Sequence, residues 1–330
     1  MPPTLFTLPQ ELREMIYERL FSSIIISHGL GKKSSNRTAV LQTCRQIRDE
    51  AHPFLTPNVK FHFRGTEAML DTLMSLDPAL IGKIRHIRVK AFPFPLYANG
   101  NPGYYTTYHF GNALALLPGL QLDRLVVEDC FHDSGIHSGF GNTGTYFDIE
   151  TLLESDGWKE LHYISPTTEF MTSPNDLRRS YRQVRVAQPA GWTELLQKRD
   201  GEDSGAAVTM YVANEAAKTG ITEDPALCSP WTAIPGHKLD EGAQIAKERE
   251  MEREVRVIAR RGRKVNYSQD GSKVDEKIRK LFESHSWSEV KNEGLYLPDW
   301  LPYYYDSVDR AGWIYGGWSQ RFQLALAALR

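Results

Sequence analysis

The sequence predicts an α/β protein in three parts: a helical head, a body on an open parallel sheet, and a helical, aromatic-rich C-terminal region. Three observations predict it. Apolar residues recur at helical spacing twice between Leu5 and Ala51. From Thr66 to Ile164 a helix-periodic segment precedes a strand-periodic one three times over, an order that favours parallel strands joined by right-handed crossovers. After Leu295 the chain crowds Trp and Tyr before a Leu/Ala-rich stretch. The expected divisions are a head at 1–63, an irregular α/β repeat-like body at 64–213, a linker or loop at 214–242, and a helical region at 243–330 that packs on the body.

Each element has a local reason. Thr7 is placed to cap the first helix, Gln10 completes a capping-box pattern, and Pro9 falls in the first turn, where its missing N–H costs nothing. Leu8, Leu12, Ile16 and Leu20, joined by Met15, then form an amphipathic stripe. A polar loop through Ser34–Arg37 leads to a second helix, in which Val40, Leu41, Cys44, Ile47 and Ala51 share a face. Pro53 is expected to end that helix, and Val59–Phe63 alternates as a strand. In the body, Thr66–Leu76, Asn112–Leu117 and Asp148–Glu154 read as helices, and Ile84–Val89, Leu122–Glu128 and Trp158–Ile164 as strands. Asp176–Tyr181 and Trp192–Lys198 follow as short helices and Ala207–Ala213 as a strand. Gly220, Pro225, Pro230, Pro235 and Gly236 punctuate Asn214–Leu239 as a loop or linker. Ala243–Arg261 is expected as a charged helix, Val274–Phe282 as an amphipathic one, and Gln320 onward as a terminal helix.

The run Leu8-Pro9-x-Glu11-Leu12, a further helical stretch with Ile16, and then Leu41-x-x-Cys44-Arg45-x-Ile47-Arg48-x-Glu50-Ala51 resembles an F-box. More narrowly, it is similar to the F-box-like heads of proteins of filamentous fungi. The resemblance covers roughly the first sixty residues, with two departures: the loop from Ser22 to Thr38 is long and polar, and no tryptophan follows the cysteine. It implies binding to the Skp-type adaptor of a cullin-RING ubiquitin ligase through a surface formed or supported by Leu8, Pro9, Leu12, Ile16, Cys44 and Ile47. The rest of the chain would then hold a protein substrate. In the alternative reading the same helices simply cap the N-terminal end of the fold. The units Ile84-x-x-Ile87-x-Val89, Leu122-x-x-Leu125-x-Val127 and Trp158-x-x-Leu161-x-Tyr163 look like degenerate leucine-rich-repeat strands. They start about 37 residues apart, against roughly 20–29 for that repeat. Such repeats commonly follow F-boxes in receptor proteins, so the resemblance implies an irregular leucine-rich-repeat-like or open parallel α/β body.

Composition narrows the partners. At 330 residues the chain has room for one large domain or a small head with a larger body. A formal net charge of −2 provides no overall field for nucleic acid or an anionic membrane, and neither is an expected partner. Cys44, Cys130 and Cys228 are far apart and odd in number, which suits a reducing compartment better than a disulfide framework or structural zinc. No basic n-region precedes an apolar core, so no signal peptide is expected, and apolar runs such as Ile24–Ile26 are too short to cross a bilayer. The expected location is cytoplasmic or nuclear.

No motif demands a cofactor or a catalytic assignment. Gly139-x-Gly141-x-x-Gly144 matches a dinucleotide fingerprint, but that site needs its first glycine at a strand end, and a polar stretch separates Val127 from Gly139. Glu128, Asp129, Cys130, His132, Asp133 and His137 gather metal-ligand types without a spacing that fixes them, so a polar loop is the better reading. Cys44 sits on an apolar face, where packing outweighs nucleophilic chemistry. The basic run Arg256–Lys264 matches a nuclear-localisation or phosphate-contact pattern, but the default reading is a solvated helix packing by one edge, in which Glu252 pairs with Arg256. The rings from Trp300 to Trp318 are expected to lock the C-terminal segment down by packing. The long loops 91–108 and 131–146 leave the C-terminal ends of strands, where open α/β sheets place ligand crevices. Two further readings therefore stand beside the receptor: an interaction scaffold with a structural head, and an enzyme or small-molecule binder using those loops.

Overall fold

The computed structural model describes residues 5–28, 36–91, 94–97, 105–108, 110–129, 149–168, 171, 183–216, 220–235, 252–272, 276–293 and 295. Its head begins with helix α1 (Gln10–Ser22), followed by strand β1 (Ile25–His28). A 3₁₀ segment (Asn36–Gln42) then leads to α2 (Arg45–Asn58) and β2 (Lys60–Phe63). Tyr17, Phe21, Ile24, Ala51 and Val59 are buried together where α1 and α2 meet. A bidentate Arg13–Glu50 pair (2.8 and 3.0 Å) ties the two helices across their contact.

The buried face of α1 is carried by Tyr17 and Phe21, whose rings fill the gap against α2, while Leu12 and Ile16 are exposed. Two expectations for the head are corrected. The second helix starts at Arg45, with exposed Cys44 as its N-cap, so Val40 and Leu41 precede it in the 3₁₀ segment. Nor does Pro53 end it. The helix carries Pro53 and Pro57 internally and runs to Asn58, held by the packing of Ala51 and by Val59 N–H donating to the Leu55 carbonyl. The polar inter-helix loop also holds β1, which pairs in parallel with β2 from Ile25↔Lys60 to His28↔Phe63.

The parallel arrangement continues into the body. α3 (Thr66–Leu73) and α4 (Pro78–Ile81, capped by Asp77) lead to β3 (His86–Ala91). A hairpin of β4 (Phe94–Tyr97) and β5 (Tyr105–Tyr108) lies within the expected 91–108 loop and precedes α5 (Phe110–Ala115). Next come β6 (Leu122–Asp129), helix α6 (149–154) and β7 (Trp158–Ser165). β2, β3, β6 and β7 pair in parallel in chain order, as the helix–strand alternation predicts. The three strand units place their apolar residues alike: Ile87, Leu125 and Leu161 stand side by side, as do Val89, Val127 and Tyr163, all buried. Each buried Leu of this kind contributes roughly 1.5–3 kcal/mol relative to exposure.

Beyond β7 the sheet turns antiparallel. After β8 (Gln183–Arg185) and helix α7 (Ala190–Asp200) come β9 (Ala207–Ala213), β10 (Cys228–Pro230), β11 (Ile234–Pro235) and β12 (Val255–Arg260). The main sheet has eight strands in the order β1-β2-β3-β6-β7-β12-β9-β10. The expected helix over Ala243–Arg261 is thus corrected within the described residues: Val255–Arg260 is a strand between β7 and β9, six residues paired on both sides. Val255, Val257 and Ala259 are buried while Arg256 and Ile258 are half-buried, so period two prevails there. The expected linker 214–239 likewise contributes structure: two 3₁₀ turns (Ile221–Glu223, Pro225–Leu227) and β10, which pairs with β9.

One face of the sheet carries the helices. Met69, Leu70 and Leu73 of α3, Phe110 and Leu114 of α5, residues 149, 152 and 153, and Trp192 and Leu196 of α7 share one core with the inward residues of β3, β6, β7, β9 and β12. The helix Glu276–Ser284, expected over Val274–Phe282, and the capped turn Trp287–Asn292 add Ile278, Trp287 and Val290 to it. Trp287 Nε1 donates to Asp71 of α3 at 2.8 Å, which pins the C-terminal helices onto the body. Asp176–Tyr181 and everything from 296 onward, including Trp300–Trp318 and the terminal helix, lie outside the described residues. Among the described residues no helix is long and apolar enough to cross a membrane.

Candidate functional site

Two surfaces stand out once the core is accounted for. The first lies on α1. Because Tyr17 and Phe21 supply its buried face, the residues a turn away face water: Leu12 is 45% exposed, Met15 59% and Ile16 42%, with Phe6 just before the helix at 43%. Pro9 is exposed in the N-cap position, and Leu8 is half-buried with its carbonyl accepting from Arg13 Nη1 at 2.7 Å. Cys44 is exposed at the start of α2, and Ile47 is half-buried against the head's core. Leu12 and Ile16 therefore belong to one outward apolar stripe, while Ile47 serves packing as well as surface.

The second is the sheet face opposite the helices, and sequence reasoning missed it. Alternation turns His86, Arg88 and Lys90 of β3 away from buried Ile87, Val89 and Ala91. Register then aligns side chains across strands. One row runs Lys60, His86, Arg124, Glu160, Arg260, and the next runs His62, Arg88, Val126, His162, Ile258, Thr209. Arg124 and Arg260 reach Glu160 from either side at 3.2 and 3.0 Å, with side chains 56% and 63% exposed. The signal was present in the sequence as basic residues at every second position of His86-x-Arg88-x-Lys90.

Buried polar groups organise the middle of this face. Arg256 donates from Nε to His162 Nδ1 at 3.1 Å and from Nη1 to the Thr222 carbonyl at 2.6 Å. With Nδ1 an acceptor, the His162 proton sits on Nε2 and is donated to Glu160. Burial pushes the His162 imidazole down to about 4 against the pull of Glu160, and the charges of Arg256 and Arg124 push the same way. His162 is thus neutral at pH 7. Burial works to raise the Glu160 carboxyl, but hydrogen bonds from His162 and Arg260 and nearby positive charge outweigh it and hold it at about 2. Arg88 binds both Glu128 and Glu223, which anchors the turn Ile221–Glu223 over the far side of the face. Buried Glu254 holds the same turn by accepting from Gly220 N–H, Thr222 N–H and Thr222 Oγ1 at 2.6–2.8 Å.

The remaining candidates gain little. Asp129 is buried at the end of β6 and accepts from Ser165 Oγ at 3.2 Å; Cys130, His132, Asp133, His137 and the Gly139–Gly144 run lie outside the described residues. Among the described residues no group of three or more His, Cys, Asp or Glu is placed to hold a metal. The basic run contributes Arg256 and Arg260 to the sheet face. Its Arg261 turns inward instead, paired with Asp200 at 2.8 Å and lying over the Trp158 ring at 5.5 Å. The 256–264 run is therefore structural over these residues, not the solvated helix expected.

Together these features define an α/β protein with helices on one face of a mixed eight-stranded sheet and a charged row on the other. No protein-family model matches the chain, and neither a curated protein nor a solved structure matches it.

Proposed function

We propose that the protein is a non-catalytic substrate receptor of a cullin-RING ubiquitin ligase, with its head on a Skp-type adaptor and a protein substrate on its body. The observation that carries the reading is the outward apolar stripe of α1. The helix has apolar residues on two faces, and only the Tyr17–Phe21 face is used by the head's own core. A contiguous apolar surface left in water is a recurring mark of a protein-binding site. The F-box-like residues Pro9, Leu12 and Ile16 lie on it, and Cys44 is exposed at the start of the next helix. The side-by-side burial of the three leucine-rich-repeat-like strand units supports the second half of the resemblance. The mechanism is proximity: the head docks, and the body brings a bound protein within reach of the ubiquitin-loaded enzyme, converting an encounter into an intramolecular step.

The test is a pull-down of the purified chain with a Skp-type adaptor, wild type beside Leu12→Asp with Ile16→Asp. Both positions are exposed, so the variant keeps its circular dichroism and melting temperature. Capture by wild type and loss in the variant supports docking through this stripe; equal capture removes the stripe from the proposal. A second reading has its own observation. β2 of the head pairs directly onto β3, with β1 on its outer edge, so the head extends the body's sheet and suits a structural role in a stand-alone interaction scaffold. A folded wild type that ignores the adaptor favours it.

A further inference from the structure

The exposed row of the sheet carries more positive charge than it neutralises. Lys60, Arg124 and Arg260 share the row with one carboxylate, Glu160, which already serves both arginines and His162. Among the described residues neither Lys60 nor Lys90 has a carboxylate partner. Among the described residues of this face, Lys60, Arg88, Lys90, Arg124, Arg256 and Arg260 meet Glu128, Glu160 and Glu223, three acids for six cations. This local excess contrasts with a chain whose formal net charge is −2. It is concentrated where Arg124 and Arg260 are mostly exposed, away from the part covered by the Ile221–Glu223 turn.

We propose that this row docks an acidic segment of a partner protein, with Lys60, Arg124 and Arg260 as its principal contacts. Guanidinium groups pair with carboxylates in a fixed fork, and Arg124 and Arg260 each have donors beyond the one used on Glu160. From β2 to β12 is four strand spacings, roughly 19 Å, the length of an extended peptide of about six residues. The chemistry favours a peptide over nucleic acid. Glu128 and Glu160 interrupt the cations and would repel a continuous run of phosphates, and beside the imidazoles of His62, His86 and buried His162 the described strands of this face offer Tyr211 alone for base stacking. The inference rests on the body being the part that holds a partner protein. It does not need the head to dock on an adaptor.

The probe is a fluorescein-labelled peptide of about eight residues alternating Glu and Ser, titrated with the full chain at low salt and read by anisotropy. A peptide with Gln for Glu and a single-stranded oligothymidylate of similar length run beside it. The Glu peptide should bind at least about tenfold more tightly than the Gln peptide and weaken as salt is raised. Arg124→Glu with Arg260→Glu should cost at least about a further tenfold, and Lys60→Glu, outside the Glu160 cluster, should weaken binding too. Equal binding of the two peptides, tighter binding of the oligothymidylate, or wild-type binding by both variants overturns the proposal. The adaptor pull-down reads the head and this titration reads the sheet, so either can fail while the other stands.

Discussion

Protonation of His162 should be a principal acid-sensitive step of the fold. Its imidazole is buried, accepts from Arg256 at Nδ1, and is held at about 4 in place of the ordinary 6.5. Below 6.5 the unfolded chain takes up a proton at this residue, while the folded chain refuses it until about 4, so stability falls as pH drops through that window. Integrating the shift between pH 7 and pH 4.5 gives a loss of about 2.5 kcal/mol from this one group. Glu160, held at about 2 from an ordinary 4.5, loses its contribution only below that window, so the two residues separate on the pH axis. The assay is urea denaturation at closely spaced pH values for wild type and His162→Gln. Gln accepts from Arg256 and donates to Glu160 without titrating. Wild type should lose about 2.5 kcal/mol more than the variant over the window. Parallel profiles would refute the reasoning. A wild type gaining stability below 6.5 relative to the variant would mean that an imidazolium pairs with Glu160, reversing the sign.

Three further outcomes follow from packing. Arg261→Ala leaves Asp200, whose side chain is fully buried, without its bidentate partner, and should cost about 3–5 kcal/mol in urea melts; Arg260→Ala, on the exposed row, should cost under about 1 kcal/mol. A Cβ at Gly262 would lie 2.4 Å from Ser204 Cβ and 3.0 Å from Asp200 Cβ, so Gly262→Ala should lose about 1–3 kcal/mol, whereas Gly191→Ala, with nothing within 4 Å, should be neutral or slightly stabilising. In the head, Phe21→Ala should cost about 3–5 kcal/mol and Leu12→Ala less than about 0.5 kcal/mol by thermal melting. Equal effects there would mean that the wrong face of α1 has been called the core.

The body's parallel strands were legible because each carries its own alternation. Ile87 and Val89, Leu125 and Val127, and Leu161 and Tyr163 are buried pairs two residues apart, bounded by helical segments long enough for crossovers. The head was legible as helices but not as faces. α1 has two apolar stripes, Leu8–Leu12–Ile16 and Tyr17–Phe21, and periodicity ranks the aliphatic one first although the aromatic one packs against α2. At Arg256–Arg260 the reading failed outright. Glu252 stands four residues before Arg256, an arrangement that suits a helix, yet Arg256 meets His162 instead. Local propensity lost there to six paired residues on each side.

What the sequence by itself determined is therefore the class and the in–out pattern: α/β, with apolar residues of β3, β6 and β7 turned to a core and mostly polar or charged residues turned away. Tertiary structure alone decided who stands beside whom. Arg124, Glu160 and Arg260 form a cluster only because β12 enters between β7 and β9, bringing together residues about a hundred positions apart. The entropy of closing a loop rises only slowly with its length, so nothing local to Val255–Arg260 marks where that strand must go; the choice is made by the ladder and core that complete it.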